Sequence, residues 1–287
     1  MVVLHVKKND SLFLLETKLD ASVDATLDKI LCIYNGSLKI ARICSEITDL
    51  ARHGIYLPQE MRGLLEEQIA ELNLVDKEGE VCIPSGGYDL DADPYQRRNG
   101  RRPKENMKDI LDKAVSDAKE NISTVNVKKN KLMTWEDIRN TLDLLQGAVT
   151  IVYPMGLPEY DPIRMEFENR ENLDGTQASK DVIDGTQAVL WFASKELCRG
   201  RQLKDYLGKN EKSKVIVKLS TKSQGQPVRE PVFSEEEQKR LMLANHKRKE
   251  ELTALDKTSD DSYLNSSWAD PSALKNRMQG MNNINWK

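Results

Sequence analysis

Three histidines, four cysteines and one run of alternating aspartates are the residues of this 287-residue chain with the chemistry to hold a metal or activate a nucleophile. A zinc site draws on Cys and His ligands in close pairs. His5, His53 and His246 each stand alone, and Cys32, Cys44, Cys82 and Cys198 are equally dispersed. Asp89, Asp91 and Asp93 alternate like the first ligands of a calcium loop, but that loop's glycine and closing glutamate are missing. Ser85-Gly86-Gly87 and Gly208-Lys209-Asn210 lack the spacing of a phosphate-cradling loop. No Gly-x-Ser-x-Gly elbow occurs. These residues fit turns and a solvated acidic loop, so the sequence predicts no catalytic residue, no cofactor and no metal.

Two segments carry binding chemistry instead. Arg97, Arg98, Arg101 and Arg102, with Lys104 following, form the densest positive cluster. Such a run suits an acidic partner, or it is a loop that neutralises the acidic stretch before it. Arginine's planar fork favours specific protein contacts over diffuse attraction. The C-terminal tail is aperiodic and polar, yet it holds Tyr263, Trp268 and Trp286. Disordered segments are poor in aromatics, and tryptophan dominates interface energies. The tail either packs back on its own domain or presents these three residues to a partner.

Composition narrows the class. A net charge of −3 argues against a general nucleic-acid binder. The 39% hydrophobic content sustains a core, while 31% charge implies extensive solvated surface. No apolar run reaches the length of a membrane span, and no basic-then-apolar leader opens the chain. Dispersed cysteines in apolar surroundings fit structural thiols in a reducing compartment. A cytoplasmic protein is expected.

The elements follow from periodicity. Val2–Val6 and Leu12–Thr17 are strand-like runs around a Lys8-Asn9-Asp10-Ser11 turn, and a helix follows from about Ser22. Strand, turn, strand, helix is the opening of a β-grasp, ubiquitin-like unit. Asn35-Gly36 is expected to end that helix, and a second runs from Leu38 to His53-Gly54. Pro58 opens a helical piece reaching Leu72, and residues 76–103 lose all period. Met107, Ile110, Leu111, Ala114, Ala118 and Ile122 trace a regular amphipathic helix, and Thr134 with Asp137 forms a capping box ahead of another. Gly147 is expected to end it. Val149–Tyr153 and Ile163–Phe167 are expected as strands, Thr176–Leu197 as a long helix, and Val215–Leu219 as a strand. Ser234 followed by three glutamates starts a charged helix to Leu255. The fold class is α+β. Its expected parts are a β-grasp-like unit at 1–75, an irregular loop at 76–103, a central core at 104–231, and a protruding C-terminal helix and tail at 232–287.

Residues 147–171 are the most distinctive stretch. Pro154, Pro158 and Pro162 hold Tyr153, Leu157 and Asp161 extended. A rigid loop carrying Tyr153, Met155, Leu157 and Tyr160 must bury them against this protein or a partner. The string from Ile151 to Asn169, followed by Leu173-Asp174-Gly175-Thr176-Gln177-Ala178, resembles the Kurly family of cilia- and flagella-associated proteins. Tyr34-Asn35-Gly36, Cys44-Ser45-Glu46, Pro84-Ser85-Gly86-Gly87 and Arg97-Arg98-Asn99-Gly100 extend the resemblance, as do Asp205-Tyr206 and Ala269-Asp270, across essentially the whole chain. The resemblance implies a non-enzymatic adaptor or scaffold for motile cilia, acting in cytoplasmic assembly of axonemal dynein arms. It adds the cilium and its axoneme as a second location, reached by carriage on partners. It implies as partners dynein assembly factors or chaperone machinery, with axonemal dynein chains or tubulin, whose acidic tails suit the arginine run, as further candidates. The competing reading is a structural axonemal protein bound to doublet microtubules or dynein-docking material.

Overall fold

The structure, a computed structural model, describes residues 1–9, 11–227 and 235–257. The chain divides into two compact units, Met1–Pro227 and Val228–Lys287. In the second unit the described element is one helix, α10 (Glu235–Lys257). Its apolar residues Leu241, Met242, Leu243 and Leu252 are all exposed. The expected cap Ser234 and the aromatics Tyr263, Trp268 and Trp286 lie outside the described residues.

The first unit begins as the sequence predicts. β1 (Val2–Lys8) pairs antiparallel with β2 (Ser11–Thr17), Val2 opposite Thr17 and Lys8 opposite Ser11. Period-2 alternation turns Val2, Leu4 and Val6 inward. Ser22 then caps α1 (Val23–His53), its hydroxyl accepting the Ala25 amide at 3.2 Å. At 31 residues this helix is about 46 Å long. The expected stop at Asn35-Gly36 does not occur, because Gly36 is a packing residue and not a cap. A Cβ there would meet Ile138 Cγ2 at 2.7 Å and the Trp135 ring at 3.3 Å, so its absence lets another helix approach. The true end is Gly54, with φ +79 and its amide bonded to the Leu50 carbonyl. Gly36→Val is expected to lower the unfolding free energy by about 1–3 kcal/mol, because Ile138 is fully buried and cannot yield. Urea unfolding measures it, and an unchanged midpoint would contradict the close approach.

After α1 come α2 (Glu66–Glu71), α3 (Lys77–Val81) and a small hairpin, β3 (Tyr88–Leu90) with β4 (Arg101–Pro103). The helical piece expected from Pro58 is therefore only the six residues of α2. Next are α4 (Glu105–Ile122), α5 (Val125–Lys128) and α6 (Trp135–Val152). The expected α4 helix buries Leu111, Ala114, Val115 and Ala118, and the Thr134–Asp137 capping box starts α6. The β-branched run Val149–Val152 is helix and not strand. Ile138, Thr141, Leu145, Ala148, Val149 and Val152 form one continuous buried face, so packing overrides strand propensity. Gly147 is exposed and stays helical at a cost of about 1 kcal/mol.

Two further expectations are corrected. α7 (Pro162–Phe167) replaces the predicted strand: Asp161 is its N-cap and Pro162 its first residue, which suits a residue without N–H. The predicted helix at 176–197 is instead α8 (Gln177–Asp181), then β5 (Ala188–Phe192) and β6 (Lys195–Glu196). Asp174-Gly175-Thr176-Gln177-Ala178 recurs in sequence as Asp184-Gly185-Thr186-Gln187-Ala188, and the two copies have different structures. In the first, Thr176 precedes a helix; in the second, a turn at Asp184 feeds the apolar run Ala188-Val189-Leu190-Trp191-Phe192 into a sheet. α9 (Lys204–Leu207) and the expected strand β7 (Lys214–Thr221) complete the unit.

The sheet order is β2-β1-β7-β5-β6. The first and last strands pair in parallel at its centre, with Leu4 opposite Val215, and β5 runs antiparallel to β7. That mixed order around one helix is the β-grasp arrangement, here holding residues 54–187 between its helix and its third strand. One core cluster joins Val2, Leu4 and Val217 of the sheet to Ile30, Ile43 and Ile47 of α1, Leu111 of α4 and Leu145 of α6. The β5–β6 hairpin turns on Ala193 (φ 45) and Ser194 (φ 67), two non-glycine residues in left-handed conformation. Such a turn favours asparagine followed by glycine. The double substitution Ala193→Asn with Ser194→Gly is expected to raise stability by about 1 kcal/mol, read as a higher urea midpoint.

Candidate interaction surface

α1 carries a polar stripe at Asn35, Lys39, Arg42 and Glu46, at helical spacings of four, three and four, beside its buried apolar face. Each of the four holds a distant segment. Asn35 donates to the Ile183 carbonyl at 2.9 Å and accepts its amide at 3.2 Å, engaging both backbone groups of that residue. Lys39 reaches Asn169 at 2.7 Å and Glu171 at 3.1 Å. Arg42 donates two parallel bonds to Glu166, at 2.6 and 3.0 Å. Glu46 accepts from Arg98 at 2.5 Å. Three of the four reach the segment from Glu166 to Ile183, so this segment is fastened along one face of α1.

The proline-rich loop is held by burial of its side chains and by Asp161. Tyr153, Leu157 and Ile163 are buried in the core, while Met155 remains 69% exposed beside Gly156 (φ +84). The expectation that the loop packs on the protein holds for all of its anchors except Met155 and the half-buried Tyr160. Asp161 is fully buried, accepting the Ile163 amide at 2.9 Å and the Tyr56 amide at 3.2 Å. Burial pushes its carboxyl above the usual carboxylate range, opposed by the nearby Arg98 guanidinium and by those two amides.

The four arginines proposed for partner binding do not converge. Arg98 is 5% exposed: it donates to the Gly54 carbonyl at 2.8 Å and to Glu46, and lies 5.0 Å from the centre of the Tyr56 ring. It is a core residue whose charge is turned inward. Arg97 is exposed beside Tyr95. Arg101 donates to the Gly79 carbonyl and stacks on Tyr88. Arg102 pairs with Asp91 at 3.5 Å and Glu105 at 3.9 Å. Asp93 accepts the amides of Tyr95, Arg97 and Arg98. Within this loop Arg102 meets Asp91, while Asp93 accepts backbone amides and Arg98 pairs with Glu46 of α1.

Between α1, α7 and the 171–178 segment lies a cleft of about 460 Å³. Arg62 stands at its rim, 4.6 Å from the Tyr56 ring and 5.9 Å from the Tyr160 ring, with Met165 and Leu173 as apolar lining. Cation–π packing of this kind fixes a surface for recognition and moves no proton. Cys44 is buried, which raises its thiol to about 11 and keeps it protonated; Cys82 is buried too, and Cys32 and Cys198 are exposed, contrary to the apolar surroundings expected for all four. Among the described residues no group of three or more His, Cys, Asp or Glu is placed to hold a metal ion, and no helix is long and apolar enough to cross a membrane. Sequence reasoning missed the α1 stripe and Asp161. The signals were present as polar residues at helical spacing along an amphipathic helix, and as an Asp-Pro pair at a helix start.

Residues 188–284 match the family model described as Cilia- and flagella-associated protein 298. The whole chain is 53% identical to the protein of that name from Danio rerio, with 100% of this chain and 99% of that protein covered. Identity is 51% to the Homo sapiens protein and 46% to the Drosophila melanogaster protein of the same name, with the same coverage. No solved structure matches the chain.

Proposed function

Because the chain belongs to the family of cilia- and flagella-associated protein 298, we propose that it is a non-enzymatic adaptor for motile cilia, acting in the cytoplasm during assembly of axonemal dynein arms. The observation that supports an adaptor is the use made of the charged groups on and around α1. Arg42, Glu166, Lys39, Glu171, Arg98 and Glu46 are spent on fixing loops to α1, which yields a rigid surface without a poised acid, base or nucleophile. Partner binding is assigned to the C-terminal part from Ser234 onward, with Tyr263, Trp268 and Trp286 as anchors, and its partners are dynein assembly factors or chaperone machinery.

Fractionation of ciliated cells tests the reading. The protein is expected in the soluble fraction and scarce in washed axonemes; retention on axonemes through detergent and high salt would make it a structural component instead. A chain ending at Pro231 is expected to unfold cooperatively yet lose association with the assembly machinery. Aggregation or non-cooperative melting of that truncation would assign the tail to the fold.

A further inference from the structure

Residues 64–83 expose a series of apolar side chains to solvent. Leu65, Leu72, Val75, Val81 and Ile83 are 53, 61, 63, 56 and 42% exposed. Leu90 on β3, at 82%, is the most exposed large apolar residue among those described. Between this arm and the β3–β4 hairpin is a cleft of about 350 Å³, where Leu57, Leu64, Ile69 and Leu90 face Asp76, Asp91, Asp93, Arg98 and Arg101. The arm is fixed to the body where Arg101 donates to the Gly79 carbonyl at 2.8 Å and the Ser85 amide donates to the Val152 carbonyl at 2.7 Å. An anchored backbone presenting unburied leucines and valines is a surface awaiting cover.

Charge identifies the cover. Residues 64–93 hold nine carboxylates against the single Lys77, a formal −8 in a chain whose total is −3. Asp91 and Asp93 are engaged within the loop, and Asp76 with Gly79. Among the described residues no ion pair is formed by Glu67, Glu71, Glu78, Glu80 or Asp89. We infer that this apolar arm, rimmed by its own carboxylates, docks a basic amphipathic segment of a partner protein, with leucine-like side chains on the arm and lysine or arginine along the rim. The sign of the rim repels nucleic acid and anionic lipid. The site lies on the first unit, separate in sequence from the C-terminal residues assigned above, and stands whether or not that partner serves dynein assembly.

The test uses the full chain and a fluorescent 18-residue peptide with leucine at helical spacing and lysine elsewhere, read by anisotropy. The same peptide with glutamate for lysine is the control ligand. Reversing Glu67, Glu71, Glu78 and Glu80 to lysine is expected to weaken binding by at least tenfold. Leu72→Ser with Val75→Ser is expected to weaken it at least fivefold, including at 300 mM salt, where diffuse attraction is screened. Reversing the exposed Asp109, Asp112, Asp117 and Asp143 to lysine is expected to leave it unchanged. Circular dichroism of each variant confirms that it is folded. Equal weakening by the second set of reversals, or insensitivity to the Leu72 and Val75 changes, would reduce the effect to net charge and overturn the site. Concentration-dependent dimerisation of the native chain, abolished by the same arm substitutions, would assign the surface to a second copy and overturn the partner.

Discussion

Replacing Arg98 by leucine is expected to lower the unfolding free energy by about 3–5 kcal/mol, the range for removing one partner of a buried ion pair. Its guanidinium neutralises Glu46 directly and opposes the burial of Asp161, whose side chain is wholly excluded from solvent. It also satisfies the carbonyl of Gly54, the residue that ends α1 in a left-handed conformation. Leucine leaves the partly buried Glu46 carboxylate and the Gly54 carbonyl without their Arg98 donor. It also removes the cation that offsets the burial of Asp161, which keeps only its two amide donors. Arg98→Lys keeps the charge but loses the fork, so an intermediate loss is expected. Arg97→Ala, one residue away and exposed, should stay within about 0.5 kcal/mol of the parent. Urea unfolding distinguishes the three, and equal small effects at both positions would show that the network carries no stability.

Arg98 also shows where sequence reasoning stops. Within Arg97-Arg98-Asn99-Gly100-Arg101-Arg102, nothing local distinguishes the second arginine from its neighbours. Its fate is set by the antiparallel bridge between Tyr56 and Arg98 and by the bonds from Leu57 to Arg97 and from Asn99 to Ile55. Those contacts join segments about 40 residues apart and turn one side chain inward. Short-range signals fared better where the physics is short-range. The hairpin at Asn9, the Thr134 capping box, the α4 stripe and the left-handed Gly54 all depend on residues within a few positions of one another.

The failures share a cause. At Val149–Val152 a run of four β-branched residues gives a helix, while at Ala188–Phe192 an apolar run with only Val189 β-branched gives a strand. The first extends a helix already nucleated at Thr134, and its period matches the buried face. The second follows a turn and finds β7 with a free edge, Val189 opposite Ser220. Propensity of roughly 1 kcal/mol over a scale cannot decide against packing of either kind. Gly36 was misread as punctuation for the complementary reason, since its value lies in the absence of a Cβ facing Ile138, a residue far along the chain.

The second large effect is expected at Glu166. Its side chain is 7% exposed and takes two bonds from Arg42, with Lys39 at 3.9 Å. Glu166→Ala leaves both cations partly buried, with Glu171 as their remaining carboxylate, 3.1 Å from Lys39 and 3.8 Å from Arg42. The residual pairing places the expected loss near about 3 kcal/mol, at the low end for a broken buried pair. Where the loss is felt matters more than its size. Lys39 and Arg42 fasten α7 and residues 169–171 to α1, while Asn35 fastens Ile183 independently. Amide exchange across 163–173 is therefore expected to accelerate beyond the global change, and exchange at Ile183 to follow only the global change. Arg42→Met combined with Glu166→Leu removes both charges and should recover part of the stability, since an apolar pair of similar volume avoids the desolvation cost. A single uniform acceleration in Glu166→Ala would mean that α7 and the resemblance-carrying segment unfold only with the whole unit, and that the α1 stripe is not what holds them.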